Sequence, residues 1–122
     1  MLKAMKTYLA VLFGIIVMPA IAGEVMIVDA NATRSSTNTY DFNVTLKHAD
    51  TGWDHYANQW QILTHDHKVL ATRTLYHPHV NEQPFTRSLG DVSIPTGISS
   101  VIIQARDTIH GISSQEFTLE IQ

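Results

Sequence analysis

From residue 25 onward the chain alternates apolar and polar residues with a period of two, and this constrains its fold more than any other feature. Tyr40, Phe42, Val44 and Leu46 form one face of a segment whose other face is Asp41, Asn43, Thr45 and Lys47. Such alternation describes a strand with one face in a core and the other in water. No stretch of about ten or more residues after position 23 keeps apolar residues at helical spacing, and β-branched residues and turn formers dominate.

The same reading along the chain predicts strands over 25–30, 40–47, 59–64, 69–76, 85–89, 100–106 and 117–121. Trp60 and Ile62 face inward on the third. Val101, Ile103 and Ala105 share a face on the sixth, and Phe117, Leu119 and Ile121 on the last. Seven short strands in about 100 residues point to an all-β, seven-stranded sandwich of the immunoglobulin or fibronectin-III kind. The chain has no cysteine, so the inter-sheet disulfide of antibody domains is excluded and the fibronectin-like form is the closer comparison. Thiolate metal sites, cysteine nucleophiles and iron–sulfur clusters are excluded as well.

Residues 1–22 read as a secretory signal peptide rather than as part of the fold. Lys3 and Lys6 supply a positive start, an apolar stretch runs from Tyr8 to Met18, and Ala20-Ile21-Ala22 offers a small-x-small cleavage pattern. The apolar stretch is shorter than the roughly 20 residues that span a bilayer. Cleavage after Ala22 leaves a domain over 23–122, expected in the periplasm or secreted. Six of the eight basic residues then face all eleven carboxylates, a net charge of −5 with histidine neutral. An acidic domain without a basic run does not suit nucleic acid or anionic lipid. No membrane attachment is expected after cleavage, and the domain is expected to be a monomer.

The seven histidines of the chain are the main functional clue. In an antiparallel sandwich successive connections alternate between two ends, here X and Y. Connections near 34–38, 65–68 and 90–99 fall at X. Those near 49–58, 77–84 and 107–114 fall at Y. Five histidines, His48, His55, His77, His79 and His110, therefore gather at Y, with Asp50, Asp54, Glu82 and Asp107. His65 and His67 are left in a tight turn at X. Loops at one end of a rigid sandwich are a common place for binding residues.

Imidazole suits Zn(II), Cu(II) and Ni(II), and carboxylates complete such shells. The expected ligands are His55, His77, His79 and His110, with Asp54, Glu82 or Asp107 as a carboxylate ligand or an acceptor behind one. His77-Pro78-His79 places two rings on one side of an extended segment. The alternative is that these rings cap loops and bond carbonyls. The Y loops would then serve a protein partner in the cell envelope, with Trp53 and Tyr56 as anchors or as packed loop residues. Asp107 is expected to accept from a loop amide or an imidazole, Arg87 to pair with Glu82 or Asp107, and Gly111 to take a positive φ. No serine lies in a nucleophile motif and no glycine-rich phosphate loop occurs. A non-enzymatic binding module is expected.

Three blocks stand out together: Thr51-Gly52-Trp53-Asp54-His55-Tyr56-Ala57, the run from His77 to Leu89, and Ala105-Arg106-Asp107 with His110-Gly111. In these the chain resembles a group of small exported proteins of Gram-negative bacteria. The resemblance covers most of the residues after position 22 and implies a periplasmic setting. It brings no activity or site residues with it. Its blocks coincide with the three Y loops.

Overall fold

The computed structural model describes residues 23–121; the expected signal peptide lies outside them. The described residues form eight strands: β1 (Met26–Ser36), β2 (Thr39–Lys47), β3 (Ala57–Leu63), β4 (Val69–Thr74), β5 (Phe85–Ser93), β6 (Ser100–Asp107), β7 (Gly111–Ile112) and β8 (Phe117–Glu120). Two antiparallel sheets pack face to face. One has the order β1-β2-β5, and the other has the order β4-β3-β6-β7, with β8 also on β6. The fold is the expected β-sandwich. Because β4 pairs with β3 and not with the first sheet, it has left the place that an immunoglobulin constant domain gives its fourth strand.

The eighth strand does not change this plan. β7 pairs with Arg106 and Asp107, and β8 with Ser100 to Ile103. The two lie end to end along one edge of β6, as a single interrupted strand. β1 and β5 run further than the alternation of their apolar residues indicates. β1 continues to Ser36 with exposed polar side chains, held by its ladder to β2. Asn38, at φ 65°, closes that hairpin. Asparagine tolerates this left-handed conformation better than most residues.

The core is built by two inward rows and the indole between them. β2 contributes Tyr40, Phe42, Val44 and Leu46, and β6 contributes Val101, Ile103 and Ala105, all buried. Trp60 on β3 is fully buried and is the largest such side chain. Both rows keep their period of two past their last apolar residue. The next inward position after Leu46 is His48, and the next after Ala105 is Asp107; both are buried. The core therefore ends in ionisable groups at Y.

Trp60→Ala should lower the free energy of unfolding by about 3–5 kcal/mol, the usual cost of deleting a large buried aromatic. Urea denaturation checks this, and a change below about 1 kcal/mol would show that Trp60 does not organise the core.

Candidate functional site

Two fully buried carboxylates organise end Y. Asp107 closes β6 and begins the turn into β7. Its Oδ1 accepts the amides of Ile109 at 2.8 Å and His110 at 2.7 Å, so aspartate here nucleates its own turn. His110 Nδ1 lies 3.1 and 3.2 Å from its two oxygens. His55 Nε2 is 3.3 Å from Oδ1, and His48 Nε2 is 3.9 Å from Oδ2. Three imidazoles thus surround one carboxylate. Burial pushes the Asp107 pKa up, but the amides of His110 and Ile109 and the His110 ring outweigh it, and the carboxyl is held below its ordinary value. Gly111 follows at φ 73° and turns the chain into β7.

Asp50 is the second carboxylate. Oδ1 accepts the Ala57 amide at 3.0 Å and faces His48 Nδ1, and Oδ2 accepts the His79 amide at 2.8 Å. One side chain therefore ties the end of β2, the start of β3 and the β4–β5 loop. His48 Nε2 lies 2.8 Å from the Gly23 carbonyl oxygen. Both ring nitrogens of His48 thus face oxygen atoms.

Among the described residues, His48, His55 and Asp107 offer ligand atoms that all lie within 4.8 Å of one another. His55 Nε2 is buried and has no hydrogen-bond partner. The rings of His48 and His55 meet edge to face at 4.8 Å between centroids, and those of His55 and His110 at 5.1 Å.

A comparison with family models finds no match. A protein of Halomicrobium mukohataei named "Putative lipoprotein" is 33% identical over 99 residues, which is 81% of this chain. The chain spans 48% of that protein's length. No solved structure matches.

Of the seven ligands expected from sequence, His55, His110 and Asp107 come together. His77 and His79 form a separate pair, with ring centroids 4.9 Å apart. His79 is stacked on Phe85 at 4.0 Å, and its Nε2 lies 2.7 Å from Arg87 Nη2. That nitrogen is thereby engaged by a cation. Glu82 turns to the same guanidinium at 3.4 Å. Asp54 is exposed, and its backbone carbonyl accepts from the Thr108 hydroxyl. Gln83 completes the loop's anchorage, accepting the His48 amide and donating to the His79 carbonyl.

His48 was placed at Y by the alternation of connections but was not among the expected ligands. The signal for it was the inward row of β2 running on past Leu46. Trp53, one of the two candidate anchors, is 68% exposed, and Tyr56 is half-buried against it with ring centroids 5.7 Å apart.

Two predictions follow from these contacts. Asp107→Asn should cost about 3–5 kcal/mol at neutral pH, because it breaks a buried charge network from one side; urea unfolding reads the loss. The second concerns His79, whose pKa is held below the ordinary 6.5 first by burial, then by the charges of Arg87 and His77, with Glu82 and Asp50 opposing. The unfolded chain takes up this proton more readily. The contribution is therefore complete above pH 6.5 and is lost as pH falls through the lower folded value. Unfolding midpoints measured from about pH 7.5 to 5.5 should fall more steeply in the wild type than in His79→Phe. Equal slopes would exclude this role for His79.

Proposed function

We propose that the chain is an exported, non-enzymatic module of the cell envelope that binds one divalent transition cation, Zn(II), Cu(II) or Ni(II), at His48, His55 and Asp107. The observation that carries this reading is the convergence of two imidazole Nε2 atoms on one buried carboxylate, with Asp50 behind His48. A carboxylate that accepts from the far nitrogen of a ligating histidine fixes its tautomer and aim, and Asp50 is itself held by two backbone amides. Donor atoms about 2 Å from a shared tetrahedral ion lie roughly 3.3 Å from each other. His55 Nε2 is 3.3 Å from Asp107 Oδ1 and His48 Nε2 is 3.9 Å from Oδ2, and with the three ligand atoms within 4.8 Å of one another a shared ion would draw them in by up to about 1.5 Å.

Charge supports the same reading. A divalent cation offsets the two buried carboxylates, Asp50 and Asp107, and gives a bond to His55 Nε2, which makes no hydrogen bond among the described residues. His110 serves behind Asp107, donating from Nδ1. The expected signal peptide, the resemblance to exported Gram-negative proteins and the relative's name support an extracytoplasmic setting, and the periplasm is the compartment we propose. The 122 residues contain no cysteine to take a thioether-linked lipid, so the lipid in that name is left with the relative.

Titration with Zn(II), Cu(II) and Ni(II) should give one-to-one binding at micromolar affinity or better. His55→Ala should lose at least about 100-fold while the far-ultraviolet dichroism stays that of a β-sandwich. His77→Ala should keep the wild-type affinity. A free cation concentration of 100 times Kd should stabilise the fold by about 2.7 kcal/mol. No binding by the wild type would retire the metal reading, and loss in His77→Ala with none in His55→Ala would move the site to the neighbouring pair.

A second reading has its own observation. Trp53, Tyr76, Val80 and Ile109 are large apolar side chains exposed on the same three loops, which fits contact with an envelope protein. A Trp53→Ser, Tyr76→Ser double variant should keep its cation affinity and lose that partner in cross-linking on intact cells. An unchanged cross-linking pattern would exclude this reading.

A further inference from the structure

We propose that the α-amino group of Gly23, released by cleavage after Ala22, is a fourth ligand of the cation site, so that the complete site exists only in the processed protein. This deepens the metal reading above and rests on it. Residue 23 lies beside His48 and His110. Its carbonyl oxygen sits 2.8 Å from His48 Nε2, and its α-carbon lies against the His110 ring. A Cβ built on Gly23 would meet His110 Cε1 at 2.6 Å and Nε2 at 3.1 Å, and the backbone has φ 90°. Only glycine fits at this place and in this conformation. Residue 23 is thus packed into the histidine cluster, and its nitrogen is one bond from the carbon that touches His110.

The segment that carries Gly23 is held firmly. The Val25 amide donates to Ser113 Oγ at 3.1 Å, and the Glu24 carboxylate accepts from the Ser114 amide at 3.0 Å and its hydroxyl at 2.9 Å. These bonds tie the start of the described chain to the strand edge beside β6, where the Ser113 amide donates to the Ala105 carbonyl. The small-x-small pattern Ala20-Ile21-Ala22 ends immediately before Gly23. Cleavage there converts an amide nitrogen, which is not a ligand at neutral charge, into an amine that is one once it gives up a proton. Its nitrogen and the Gly23 carbonyl oxygen can close a five-membered chelate. With His48 Nε2, His55 Nε2 and an Asp107 oxygen the set becomes three nitrogens and two oxygens, one of a carboxylate and one of a carbonyl, suited to Zn(II), Cu(II) or Ni(II). Binding releases the amine proton to solvent, and no electron transfer is involved.

The test compares the exported, processed chain, its first residue read by intact mass, with a chain that keeps Ala22 as its first residue. Zn(II) is the affinity probe, because it does not displace the proton of a peptide amide. The processed chain should bind Zn(II) at least tenfold more tightly than the Ala22-retaining chain, whereas His55→Ala in the processed chain should abolish binding. Cu(II) supplies a readout independent of affinity. Labelling glycine with nitrogen-15 should alter the nitrogen hyperfine pattern of the Cu(II) electron paramagnetic resonance spectrum in the processed chain and not in the extended one. Equal Zn(II) affinities with no isotope effect would overturn the amine ligand and leave the histidine–aspartate site standing. A processed chain that begins elsewhere than Gly23 would also overturn it. Absence of binding by either chain would overturn both readings.

Discussion

The far end of this sandwich depends on burying two carboxylates and answering each of their oxygens. Removing a carboxylate from water costs several kcal/mol unless hydrogen bonds and opposite charge replace the hydration. Asp50 and Asp107 meet that demand by recruiting backbone amides and imidazoles from every Y loop. Asp50 takes Ala57, His48 and the His79 amide; Asp107 takes Ile109, His110 and the approach of His55. The loop conformations follow from these bonds. So does the gathering of imidazoles, since an inward-facing carboxylate favours basic neighbours.

The arrangement also separates two kinds of histidine. Around Asp107 the rings face negative charge, with nitrogens directed inward. Around Arg87 the His79 ring faces positive charge and an aromatic face, and it is held towards its neutral form. The histidines at this end are therefore divided by charge into an anion-facing group and the cation-facing His79, with His77 exposed beside it. Spacing in the chain does not reveal that division. His77-Pro78-His79 has the look of a chelating pair, yet the residue that decides its chemistry is Arg87, eight positions beyond His79 and reached only because β5 returns along β2.

The architecture was largely legible because its cause is local. Alternation in β2 and β6 reports which residues face the core, and each strand reverses the chain, so the two ends and their loops follow. The placement of His48, His55 and His110 at one end came from that counting. Two things were not legible. The inward rows were read to their last apolar residue, Leu46 and Ala105, although the geometry of a strand does not stop where hydrophobicity does; His48 and Asp107 are the next inward positions. The exposure of Trp53 had no local signal either, because a tryptophan in a turn packs or protrudes according to what the neighbouring loops leave free.

The two ends differ in the burial of the charges that tie their loops, and this has a consequence for motion. At X ties between loops, such as Ile94 to Asn38 and His65 to Ser100, pass through backbone groups and exposed side chains that water can replace. At Y the ties run between loops, from Gln83 to His48, Asp50 to His79, and Thr108 to Tyr56. Freeing one of these loops strips a buried charge of its partners, so the loops must open together, and amide exchange at Y should approach the rate set by global unfolding. Whatever lands on that end meets a surface whose shape was settled during folding, and selects itself by fit rather than by rearranging its host.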